Sequence, residues 1–175
     1  MSTTQAMKDH LVVVPYKGIT IFVMPDYYME DGIRMPVGLT RAFEIADAVG
    51  MRLPTPDMVD AIYKAAEIKL SPTPMDWRGA MTSMDYFIRH DAKIEEQLEA
   101  YGDVTGKLIA GHKKDIVNIA RNSSKVAIYG WHQRNGLPIQ NYNARSHHRE
   151  YKDYSHGLRL VSKNGKDKQG RLVRV

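Results

Sequence analysis

Cysteine is absent from the 175 residues, and that absence removes disulfides, thiolate nucleophiles and cysteine-ligated zinc together. It leaves the redox compartment open, because a chain without thiols is at ease in either environment. No apolar run approaches the roughly 20 residues of a membrane-spanning helix. The N-terminal stretch also lacks the basic, apolar and small-residue succession of a secretory leader. The expectation is therefore a soluble protein, cytoplasmic or virion-associated, with no membrane partner. Three signatures are missing as well: there is no His-Glu-x-x-His, no Gly-x-Ser-x-Gly around a serine, and no basic helix suited to a nucleic-acid groove.

What is present is concentrated late in the chain. Five of the seven histidines fall between His112 and His156, and none lies between His10 and His90. Histidine titrates near neutrality and is the commonest metal ligand, so a crowd of them points to chemistry and places the site in the second half. Charge is uneven too. Of the net +5, residues 145–175 carry nine Lys or Arg against three acids, which leaves the first 144 residues at about −1. Any pull on an anionic partner comes from that end.

At 19.9 kDa, with 43% apolar and 26% charged residues, the chain suits one ordinary globular domain. The sequence divides into a flexible N-terminus at 1–9, a single α+β domain at 10–162 and a basic, solvated tail at 163–175. Leu11 to Tyr16 and Gly18 to Met24 predict an N-terminal β-hairpin. Pro25 to Gly38 reads as a surface loop. Thr40 is expected to cap a helix through Val49 that Gly50 stops. Thr55, Pro56 and Asp57 form a strong helix start for an apolar stripe up to Leu70. Ser71-Pro72-Thr73-Pro74 breaks that stripe, and a third helix is expected from Ser83 to Tyr101 with Phe87, Ile94 and Leu98 inward. Short antiparallel strands follow at 107–110, 115–120, 125–129 and 158–161, giving an α+β fold of about three helices whose C-terminal strands carry the site.

The candidate site comes in four pieces. In Gly111-His112-Lys113-Lys114-Asp115 the adjacent lysines must point opposite ways in a strand, so one at most faces the site. An ammonium beside an imidazole lowers the imidazole pKa and can hold an oxyanion. In Tyr129-Gly130-Trp131-His132 the glycine permits close approach of a ligand or another backbone. There Trp131 reads as core or pocket wall, and His132 as the chemical candidate. The third piece is Ser146-His147-His148, set in a polar stretch that is equally compatible with exposed loop histidines. Asp153-Tyr154-Ser155-His156-Gly157-Leu158-Arg159 is the densest, offering a carboxylate, hydroxyls, an imidazole and an anion clamp within seven residues.

Two mechanisms use these parts. In one, some of His112, His132, His147, His148, Asp153 and His156 hold a Zn²⁺-like ion whose bound water attacks an amide or ester. In the other no metal is needed: a histidine is the general base, and Lys113 or Arg159 stabilises negative charge on a phosphodiester or other anion. Asp115 stands beside the lysines as ligand or base, and Tyr154 as a hydroxyl donor. A Ser155–His156 nucleophile pair is discounted, because neighbouring strand residues face opposite ways.

The stretches Leu53-Pro54-Thr55, Ala110-Gly111-His112-Lys113-Lys114-Asp115-Ile116-Val117, Ala127-Ile128-Tyr129-Gly130-Trp131-His132, Pro138-Ile139-Gln140 and Asp153-Tyr154-Ser155-His156-Gly157-Leu158-Arg159-Leu160-Val161 together resemble a family of bacterial and phage-encoded proteins. The likeness covers roughly residues 20 to 161 and brings no activity with it. It implies one complete domain, an added tail after Val161, and a place for His90 among the polar motif residues. Relatives carry one histidine between Gln140 and Asp153 where this chain has His147 and His148, so the matching residue stays open.

The leading expectation is a hydrolase, metal-assisted, acting on an anionic polymer, with peptidoglycan first by analogy with small basic phage-like wall enzymes. A phosphodiesterase or nuclease using the same histidines is one alternative. A non-enzymatic module, ligand-binding or virion-structural, is the other.

Overall fold

The computed structural model describes residues 7–175, with residues 142–144 as backbone only. The fold is α+β. Its larger sheet has six strands: β1 (Val12–Tyr16), β2 (Ile19–Val23), β5 (Met51–Arg52), β12 (Val161–Ser162), β13 (Asn164–Lys166) and β14 (Leu172–Arg174), in the order β14-β13-β2-β12-β5 with β1 on the other edge of β2. A second sheet orders β10 (Pro138–Ala144), β9 (Ile128–His132), β8 (Lys114–Ile116) and β11 (His156–Gly157). Its pairs are antiparallel except β8 with β11, which is parallel.

The N-terminal hairpin forms as the sequence predicts. Its turn places Lys17 and Gly18 at φ 46° and 79°, the double left-handed geometry whose twist matches that of the flanking strands. The first helix, α1 (Leu39–Val49), begins one residue before the expected cap. Gly38 is its N-cap, and the Thr40 hydroxyl, already inside the first turn, donates to the Glu150 carboxylate instead. Gly50, at φ 66°, stops α1 by returning its N–H to Ala46 and Asp47. In α2 (Pro56–Ala65), Thr55 caps through its hydroxyl to Met58 N at 3.2 Å. This helix does not run to Leu70. Ile68–Lys69 is a strand, β6, parallel to β7 (Ile109–Ala110), and the N–H groups of Ile68 and Leu70 go to the carbonyls of Leu108 and Ala110. Ala66, Ile68 and Leu70 alternate with the period of a strand, and pairing with β7 satisfies the buried backbone. The third helix, α3 (Met84–Glu99), is capped by Ser83 and turns Phe87, Ile94 and Leu98 inward.

Two expectations fail. Pro25 to Gly38 is no surface loop: β3 (Met29–Glu30) and β4 (Ile33–Arg34) form a hairpin, and Tyr27, Tyr28, Arg34, Met35 and Val37 are buried. Nor is 163–175 a solvated tail. β13 pairs with β2 at Lys166–Thr20 and with β14 through three residues, and a Cβ on Gly165 would sit 2.4 Å from Thr20 O, so only glycine allows the close approach. The basic residues there alternate outward on a real hairpin. At the N-terminus, residues 1–6 of the expected flexible segment lie outside the described residues. Residues 7–9 are helical, and Met7 packs on the main core.

Three apolar layers frame the interior. The inner face of α1 packs on Ile116, Ile128, Leu158 and Leu160; α2 packs on Val14, Ile21 and Val23; α3 packs on Ile68, Leu70 and Ile109.

Candidate functional site

The interior also holds Arg34, His90, Asp91, His112, Lys113, Asp115, His132, Asp153, Ser155, His156 and Arg159, all buried. Burying charge is costly unless it is paired, so each group needs a partner or a purpose. Arg34 is the first hub. Its guanidinium grips Asp26 with Nε at 3.1 Å and Nη2 at 2.8 Å from Oδ2, while Nη1 lies 2.8 Å from both Asp91 and Glu95. Asp26 also accepts from His112 Nε2 at 2.8 Å. Burial raises the Asp26 carboxyl, but His112 and Arg34 outweigh it and hold it far below the usual carboxylate range. Burial lowers His112 to about 4 despite Asp26.

A second group is centred on Tyr27. Its hydroxyl donates to Asp115 Oδ1 at 2.6 Å, and its ring lies under the Arg159 guanidinium at 4.5 Å. Arg159 donates to the carbonyls of Met24 (2.8 Å) and Ile109 (2.5 Å), tying β2's exit to β7. The anion clamp expected of Arg159 is thus spent on backbone, deep inside. Asp115 is pushed up to about 6 by burial, against the pull of Arg159 and Tyr27.

The third group carries unpartnered atoms. Lys113 Nζ donates to Tyr154 O at 2.6 Å, and burial lowers its amine to about 7 against Asp91 and Asp153. The expected split into one inward and one solvated lysine is incomplete: Lys113 is 1% exposed, and Lys114 is half-buried, its Nζ 5.0 Å over the Trp131 ring. Gly157 lets Lys113 and Tyr27 close in, since a Cβ there would meet the Tyr27 ring at 2.6 Å. Asp153 Oδ1 accepts from Ser155 N at 2.8 Å and Oγ at 2.6 Å, and Oδ2 accepts from Tyr151 at 2.9 Å. His156 Nε2 is 3.7 Å from Asp153 Oδ2. Burial works against the Asp153 charge, but His156 and the Ser155 and Tyr151 donors hold the carboxyl low, while burial keeps the His156 imidazole neutral.

Both ring nitrogens of His156, Nδ1 of His90 and the indole nitrogen of Trp131 are buried without a hydrogen-bond partner among the described residues, as are Nδ1 of His112 and Nε of Arg159 in the other two groups. His90 and Trp131 flank Tyr154, and His90 and His156 both feel the charge of Lys113. His90 and Trp131 lie 5.0 and 6.4 Å from the Tyr154 ring, and Tyr154 O is the Lys113 acceptor. Trp131 takes the left-handed backbone at φ 60°, unusual for a bulky residue and a mark of a constrained site. Above His156, His147 stacks on Tyr151 at 3.9 Å, and these rings lie 6.4 and 5.6 Å from the His156 ring. His148 is exposed, its Nδ1 accepting from Glu150 N. Of the two adjacent histidines, His147 is therefore the one beside the motif.

His132 shares a small enclosed cavity with Tyr27, Lys113, Asp115 and Arg159, but its hydrogen bonding is separate. Its Nε2 donates to Asp60 Oδ1 at 2.8 Å, and Tyr129 donates to the same oxygen at 2.7 Å. Tyr63 stacks on its ring at 4.6 Å. This pair borders an open cavity of about 480 Å³.

The motif residues thus converge, but not at one point. His112 belongs with Asp26, His132 with Asp60, and His147, Asp153 and His156 with Lys113. Among the described residues no group of three or more His, Asp or Glu side chains is disposed to hold a metal ion. Asp26, Arg34, Asp60 and Asp91 escaped the sequence reading. Arg34 and Asp26 were hidden in an apparent loop, and Asp60 and Asp91 in helical faces where an acid normally meets solvent. The signal available for Asp91 was its place beside His90 on the buried face of α3. Comparison with known protein families, with curated proteins and with solved structures gives no match.

Proposed function

We propose that the protein is a hydrolase of an anionic polymer, with His156 as general base, Asp153 orienting its ring and Lys113 supporting the negative charge that develops. The observation that carries this reading is the set of buried, unpartnered nitrogens of His156, His90 and Trp131 around Lys113, since native interiors rarely leave such groups unpaired unless they await a polar partner. Neutral His156 takes a proton from water as the water oxygen attacks an acyl carbon, and returns that proton to the leaving group. Lys113 lies beside the oxyanion. A substrate reaches them by displacing the stacked His147 and Tyr151.

The uneven positive charge and the phage-like motifs make peptidoglycan the first substrate to try. Purified sacculi should clear in the presence of the protein, and His156→Gln should slow clearing by about 10²- to 10⁴-fold while leaving the fold intact. Activity should decline above about pH 7 as Lys113 gives up its proton. Metal analysis, with His156→Ala as control, separates a zinc-assisted form drawing on His147, Asp153 and His156 from a metal-free one. Cleavage of plasmid or RNA instead of sacculi would move the substrate to nucleic acid. A folded wild-type chain inert on all three would overturn the hydrolase reading in favour of a binding module.

A further inference from the structure

The cavity at His132 has the makings of a second site, independent of the hydrolase reading. Asp60, on α2, is half-exposed and opens on it, and both of its hydrogen bonds, from Tyr129 and His132, fall on Oδ1. A carboxylate held by two donors on one oxygen is fixed in orientation and offers its other oxygen as an acceptor. Lys64, Lys69 and Arg134 line the same cavity, and none has a carboxylate partner within 4.0 Å among the described residues. Lys69 is placed rather than free: its Nζ lies 5.5 Å from the Tyr63 ring centroid and 3.4 Å from Lys64 O. Arg134 is braced by Tyr101 at 3.3 Å. His132 itself is clamped between Tyr63 and Asp60.

Three cations against one oriented carboxylate favour a ligand of net negative charge that also carries a hydroxyl donor. At about 480 Å³ the volume suits a small metabolite. We infer that this cavity binds a hydroxyl-bearing phosphate monoester, its phosphate on Lys64, Lys69 and Arg134 and a hydroxyl on Asp60 Oδ2. Arg and Lys give the phosphate charge-assisted bonds, and the buried face of Tyr63 and His132 keeps the floor rigid.

Titration calorimetry with glycerol 3-phosphate, ribose 5-phosphate and glucose 6-phosphate, beside inorganic phosphate and glucose, tests this. At least one phosphate ester should bind tenfold or more tightly than inorganic phosphate, and glucose should not bind. The Lys69→Gln/Arg134→Gln variant, altered at the surface and so folded, should lose tenfold or more for both ester and inorganic phosphate. Asp60→Asn should reduce the ester to the affinity of inorganic phosphate. Failure of every ester to bind, esters no tighter than phosphate, or binding indifferent to the double variant would each overturn the inference. The hydrolase reading is untouched by any of these results, because His156→Gln does not alter this cavity.

Discussion

Two histidine–aspartate pairs in one small domain live under opposite conditions. His156 and Asp153 are sealed, 3.7 Å apart, with the carboxylate satisfied by Ser155 and Tyr151. His132 and Asp60 are in direct contact at 2.8 Å, and the carboxylate is 49% exposed on a cavity wall. The difference teaches that the same two residue types can be governed by desolvation or by access. In the sealed pair, burial decides protonation, and the neighbours must be perfect. In the open pair, water screens the charge, and the geometry is free to serve a ligand.

The largest expected effect lies in the sealed interior, at the Arg34 hub beside that pair's group. Arg34→Met strips Asp26 and Asp91 of their shared cation and should cost about 3–5 kcal/mol in urea unfolding, whereas Asp60→Ala should cost about 1 kcal/mol or less. Equal costs would mean that the interior is wetter than its packing implies.

Next comes pH. His90 is held at about 2 and His112 and His156 at about 4, all chiefly by burial, against an ordinary 6.5. Below pH 6.5 the unfolded chain therefore takes protons that the folded chain refuses. Stability should fall from pH 6.5 towards 4, by about 1.4 kcal/mol per pH unit for each histidine. Asp115, raised to about 6, keeps a proton that the unfolded chain loses, so between pH 6 and 3.8 it offsets one of the three. Urea midpoints at pH 7, 6 and 5 should show the net decline, and His90→Phe should flatten it. An unchanged slope in that variant would assign the acid sensitivity elsewhere.

The smallest effect sharpens the open side. Lys64→Gln and Arg134→Gln touch only exposed cations and should shift stability by no more than about 0.5 kcal/mol. A larger loss in thermal unfolding would make those cations part of the fold and not of a binding wall.

Much of the frame was legible because local rules and tertiary packing agreed. Thr55-Pro56-Asp57 and Ser83 start helices, Gly50 ends one, and Leu11 to Met24 folds into a hairpin around Lys17-Gly18. The motif residues His112, Lys113, Asp115, Asp153, Tyr154, His156 and Arg159 are all buried, though divided among three groups. What was illegible depended on distant partners. Arg34 looked like a loop cation because Asp26 and Asp91 lie 8 and 57 positions away. The segment after Ser162 looked like a loose tail because the strand that receives it, β2, is made from the other end of the chain.

The way β2 is shared has a kinetic corollary. Residues 19–23 meet neighbours at 161 and 166, so this sheet stays open while some 140 intervening residues are synthesised. Contacts of such sequence separation slow folding, and during translation the apolar edge of the early hairpin is left for a chaperone or a premature partner to find.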